Sequence, residues 1–202
     1  MSSQVPIRQS INQVLKTLYF DGFEEDSEYD LIITISDSDI SFREYGTFLL
    51  IVDRFYGRLH SENFISYALS ERSHLKISEI KKGSIVLLIQ DILRLLQAEK
   101  ALIFYLLIKF LPSSIKSGSE ALLNVSKSYK NYEEGRLTRY IRKSLKEDLQ
   151  EDEILKNLDE KSRGKLVKIL SEKYLKEKKY LAAAAKFARK KLKDVELKKR
   201  KK

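Results

Sequence analysis

LKISEIKKGSIVLLIQDILRLLQAEKALIFYLLIKFL, running from Leu75 to Leu111, is the stretch whose reading decides the fold. Leu75, Ile77 and Ile80 roughly alternate with Lys76, Ser78 and Glu79, the period of a strand with one wet face. Lys81, Lys82 and Gly83 then make a turn. Glycine takes a positive φ without a Cβ clash, and the two lysines keep the tip in water. Ser84 to Ile89 (SIVLLI) is apolar and rich in β-branched residues, which suits an interior strand. The Gly-Ser pair is not a phosphate cradle, because a P-loop needs a longer glycine-rich loop closed by Lys-Ser or Lys-Thr.

A helix is expected from Asp91, and its character changes along its length. Arg94, Gln97, Glu99 and Lys100 interleave with Ile92, Leu93, Leu95 and Leu96 in an ordinary amphipathic pattern. From Ala101 to Ile108 (ALIFYLLI) no polar face remains. A helix that is apolar all round is buried on every side or lies in lipid. A bilayer span takes roughly 20 apolar residues. Lys100 and Lys109 bracket only eight here, so a central core helix is the first expectation. The alternative is a surface for a partner or a membrane, made by Leu102, Ile103, Phe104, Tyr105, Leu106, Leu107 and Ile108 after rearrangement.

Outward from this stretch, Leu31 to Ile35 (LIITI) reads as a short apolar strand behind an acidic loop from Glu24 to Asp30. Ser41 and Glu44 form a capping box at the start of a helix from Phe42 to about Leu59. Val5 to Phe20 reads as an amphipathic helix, with Ile7, Ile11, Leu15 and Leu18 on one side and Pro6 in its first turn. The order is α-β-α-β-β-α: an α/β fold with a small three- or four-stranded sheet packed with helices over residues 1–112. Pro112 to Gly118 breaks the chain, and residues 113–202 read as a mainly helical, basic region. Within it, Ser119 to Glu134 is helical in pattern up to a stop at Gly135. Leu137, Ile141, Leu145 and Leu149 repeat at fours, and Glu147 to Glu153 reads as a solvated acidic linker.

Candidate chemistry is sparse. The absence of cysteine excludes disulfides, thiolate metal sites and cysteine nucleophiles. Asp37 and Asp39 are two apart in a strand-to-helix loop, but no third ligand has a fixed spacing, and helix-start carboxylates commonly oppose the dipole. His60 and His74 each stand at a segment end with no nucleophile motif to serve. The expectation is a non-enzymatic protein without metal or cofactor. Met1 to Ser10 is polar and lacks the apolar core of a secretory signal, so a cytoplasmic location is expected, with peripheral membrane contact as a variant. The richness in Lys, Glu, Ile and Tyr would suit a thermophile.

The net charge of +10 is unevenly placed. Lys161 to Lys202 holds 18 basic residues against 4 acidic ones, so this segment alone carries +14. Leu166, Leu170, Tyr174, Leu181, Ala184, Ala185, Ala188, Leu192 and Val195 recur at threes, fours and sevens, which predicts one long helix with an apolar stripe and a lysine-covered back. Its end bears Lys186, Arg189, Lys190, Lys191, Lys193, Lys198, Lys199, Arg200, Lys201 and Lys202, the candidate residues for an anionic surface. Such a helix can lie on acidic phospholipid or hold nucleic-acid phosphates nonspecifically. A core-packed helix with a solubilising tail is the plain alternative.

The layout from Leu31 to Leu111, and above all I-x-x-I-K-K-G-S-I-V-L-L-I at Ile77 to Ile89, resembles the TRADD N-terminal α/β adaptor domain, relatives of which occur in prokaryotic antiviral conflict systems. The resemblance covers about half the chain. It implies a non-catalytic adaptor or effector of such a defence system that docks a partner protein of the same system. No catalytic residue is carried over with it. An anionic membrane surface, or alternatively nucleic acid, is the further partner expected at the basic end, and self-association stays open.

Overall fold

A computed structural model describes residues 29–60, 76–81, 84–90, 92–115, 130–152 and 155–199. The sheet is built around β1 (Tyr29–Ile35), whose residues are alternately buried and half-buried. After α1 (Phe42–His60), β2 (Lys76–Lys81) and β3 (Ser84–Ile89) pair antiparallel, with Lys81 opposite Ser84 at the turn. β3 pairs antiparallel with β1 and so lies inside the sheet, where its apolar run belongs.

The fourth strand comes from the far end of the chain. After α2 (Ile92–Lys109), α3 (Lys130–Glu151), a short 3-10 turn, α4 (Glu160–Lys176) and α5 (Lys178–Lys191), residues Leu192–Lys199 form β4. β4 runs antiparallel to β1, giving the order β2-β3-β1-β4. This corrects the single long helix expected from Lys161 onward. The helix breaks at Glu177 and ends at Lys191. Beyond it, Val195 and Leu197 face the core while Asp194, Glu196 and Lys198 are exposed, and that two-residue period belongs to a strand.

One face of the sheet, with Tyr29, Leu31, Ile33, Ile35, Leu87, Ile89 and Val195, packs against helices. α2 lies across β1 and β4 and also against α1, while α1 carries α5 on another side. Ala101 to Ile108 is buried throughout, with no residue more than 8% exposed. That is why the stretch needs no polar face. No helix among the described residues is long and apolar enough to cross a membrane. The core also continues past residue 112. Tyr174 in α4 donates its hydroxyl to the Leu107 carbonyl of α2 at 2.6 Å, and Phe187 in α5 stacks 5.1 Å from Phe48 in α1. The described residues beyond 112 therefore complete the same core that the described residues before it begin.

Two smaller expectations are also revised. α3 runs through Gly135 without stopping. The acidic patch is not a free linker, because Asp148 accepts from the Ser113 hydroxyl and Asp152 pairs with Lys109 at 2.5 Å, tying the end of α3 to the end of α2. The expected Val5–Phe20 helix, the acidic loop before Tyr29, His74 and most of Ser119–Glu134 lie outside the described residues.

Candidate anion-contact surface

Of the ten basic residues singled out at the end of the chain, seven fall on α5 and β4 and three, Arg200, Lys201 and Lys202, lie outside the described residues. Lys186, Arg189 and Lys190 are exposed on α5; Lys193 and Lys198 are exposed on β4; Lys199 is the strand's last residue. Lys191 is half-buried and donates to the Ser38 carbonyl, and Arg189 Nη1 donates to the Pro112 carbonyl at 3.3 Å. These two thus fasten α5 to neighbouring loops as well as adding charge. What the sequence pattern set on one continuous helix is in fact divided between a helix and an adjoining strand.

The apolar side of α5 is taken up by the core. Leu181, Ala184, Ala185, Phe187 and Ala188 are all buried, chiefly against α1. Small alanines let the two helices approach closely, and Phe187 fills the remaining space beside Phe48 and Tyr45. No apolar face of α5 is left to enter lipid in this fold. Its basic side offers charge alone.

A second charged group was not foreseen. Glu177, at the joint between α4 and α5, is 1% exposed, and its carboxylate takes the Nε groups of Arg54 and Arg58, one turn apart on α1. Its backbone φ of −108° and ψ of 17° close one helix and open the next. Arg54 also lies over the Tyr180 ring, 5.5 Å from its centroid. Further cations gather here. Burial holds the half-buried Lys173 ammonium below its ordinary value, and repulsion from Lys176, Arg58 and Lys100 adds to that. The sequence reading did not single out Glu177; the arginine pair at Arg54 and Arg58, spaced i and i+4, is the signal that could have pointed to a partner.

Nothing among the described residues assembles into a catalytic or metal centre. Among the described residues, no group of three His, Cys, Asp or Glu stands close enough to hold an ion. Asp39 has a φ of 46°, which places it in the tight turn between β1 and α1, and the Ser41 carbonyl then accepts the Tyr45 N–H at 2.9 Å as α1 begins. Asp37 and Asp39 both lie in the loop that leads into α1. A hollow of about 220 Å³ between α3 and α4 is lined by Lys146, Glu160, Arg163, Gly164 and Val167, a set with no nucleophile and base in it.

No known family matches the chain, and no curated protein or solved structure matches it.

Proposed function

We propose that this protein is a non-catalytic adaptor that meets a polyanion through the basic outer side of α5. The observation that carries the reading is the division of α5 into a side packed in the core and a side bearing Lys186, Arg189 and Lys190; β4 adds Lys193 and Lys198, set among Asp194 and Glu196. The TRADD-like layout of the α/β half, with its contact-based mode of action in prokaryotic defence systems, supports the adaptor part of the proposal. Phe42, 93% exposed at the start of α1, and Leu50, 40% exposed one face away from the core, are the apolar positions such a partner protein would meet.

Nucleic-acid phosphate is the polyanion this surface suits best. Lysines gripping phosphates need no apolar insertion, and no base-reading motif accompanies them, so the contact is nonspecific and releases counterions. Acidic phospholipid headgroups are the second reading, favoured by the same lysines at roughly 1 kcal/mol each near a charged surface. There, too, binding rests on charge without burial of α5.

The test offers the full chain a mixed-sequence oligonucleotide, anionic vesicles and neutral vesicles at two salt concentrations. A Lys186→Gln/Lys190→Gln variant, altered only at exposed positions, is run beside it. Oligonucleotide binding that weakens steeply with salt and drops in the variant is expected. Retention on anionic vesicles alone would move the protein to the lipid reading, and retention on neither would refute the polyanion proposal.

A further inference from the structure

β4 ends the sheet, and no described strand pairs with its outer edge. An open edge offers backbone N–H and C=O groups to any chain that can match it. The Val195 N–H donates to the Asp194 carboxylate, 2.8 Å away, which marks Val195 as turned to the open side. By the alternation of an antiparallel ladder, Leu197 turns its backbone groups the same way. The side chains of Val195 and Leu197 meanwhile extend the core layer to the rim, buried and half-buried respectively.

We infer that β4 pairs antiparallel with β4 of a second copy about a two-fold axis at Leu197. The charge pattern of the strand selects this register. Directly opposed residues of an antiparallel pair share a face, and like charges there repel. An axis at Val195 would set Asp194 against Glu196. At Glu196 or at Lys198 it would set a charge against itself. At Leu197 it places Glu196 opposite Lys198 twice, once on each side of the axis, and brings the two leucines together at the rim of both cores. Edge lysines ordinarily keep other strands away, but here the alternating signs exclude every centred register except this one.

The acidic side of the strand points the same way. Asp194 raises the Glu196 carboxyl above its ordinary value through a hydrogen bond and through repulsion, and Lys198 opposes this only weakly. A partner lysine facing Glu196 would relieve that crowding. The inference shares Lys198 with the cations of the polyanion reading, but it rests on the strand edge and a mixed-charge pair rather than on the lysine side of α5.

The test is sedimentation of the full chain over a wide concentration range, with circular dichroism to verify folding. The expected result is a monomer–dimer equilibrium. Lys198→Glu and Glu196→Lys should each weaken the dimer about tenfold or more, since each turns two attractive pairs repulsive. Lys198→Glu combined with Glu196→Lys should restore it at unchanged net charge. A chain that stays monomeric at every concentration would overturn the inference, as would a dimer indifferent to the single reversals or one that the double exchange fails to rescue. Oligonucleotide binding by the double-exchange variant, read separately, keeps this result distinct from the fate of the polyanion proposal.

Discussion

At the scale of single residues, Glu177 is the position on which most depends. A carboxylate this buried is tolerable only because two guanidinium groups meet it, and removing it takes the shared anion from both cations. Glu177→Ala is expected to lower stability by ~3 kcal/mol, near the bottom of the range for a broken buried pair, because Arg54 and Arg58 keep some access to water. Urea unfolding measures it, and a loss below about 1 kcal/mol would mean the clamp is only decorative. Tyr45 gives the opposite case. Its buried hydroxyl has no hydrogen-bond partner among the described residues, and burial raises its pKa above the ordinary value. Tyr45→Phe should leave stability within about 1 kcal/mol of the parent, or above it, because the deleted group made no bond to lose.

Lys109 brings pH into the picture. Burial alone would lower its pKa, but the Asp152 carboxylate and the Tyr105 hydroxyl outweigh burial, and the net shift is upward. A cation raised in the fold contributes stability that is complete below its unfolded value and fades as pH rises through the folded one. The destabilisation caused by Lys109→Met should therefore be full at neutral pH and shrink on the strongly alkaline side. Chemical denaturation at both ends of that window tests it, and a pH-independent difference would count against the pair.

Among the elements, β4 decides how the chain may be cut. It covers β1 along its whole length, so a chain ending at Lys191 uncovers the edge beside Leu31, Ile33 and Ile35. Such a chain should melt far below the parent or fail to fold, whereas one ending at Lys199 should melt with it. Thermal unfolding of the two distinguishes a structural strand from a dispensable tail. The same element shows where sequence reading stops. Leu192 and Val195 are three apart and fit a helical stripe that Leu181 to Ala188 had already established, so helical period ran on by inertia. The deciding signal was the alternation of Val195 and Leu197 with Asp194, Glu196 and Lys198, too short and too charged to stand out without a strand to pair with. By contrast, the β2–β3 pairing, the apolar run of β1 and the burial of Ala101 to Ile108 were legible because local period, length and composition agreed. Basic residues near the end were visible as composition. Their arrangement on two elements was not, since it depends on where β1 lies.

At the scale of the whole molecule, charge and core are separated in space though interleaved in sequence. α5 contributes to the core on one side and carries cations on the other, so the surface proposed to meet a polyanion is held in place by the packing that stabilises the fold. Anything that loosens α5 should disperse the cations as well. The Glu177→Ala protein, examined where it remains folded, is expected to bind oligonucleotide more weakly than the parent although no residue of the binding side has changed. Equal affinity would mean that the lysines act independently of the scaffold.

The central position of β1 between β3 and β4 has a consequence in time. β1 can pair with β3 early, but its other edge must wait for a segment more distant in sequence than any other element of the fold, Tyr29 meeting Lys199. Closing so long a loop raises the contact order and slows the search for the native state. Until it closes, β1 presents Leu31, Ile33 and Ile35 beside an unpaired edge, the kind of strand that other chains capture. On the ribosome this interval lasts through the synthesis of every helix from α1 to α5, and a chaperone that shields exposed strands would have its longest opportunity there.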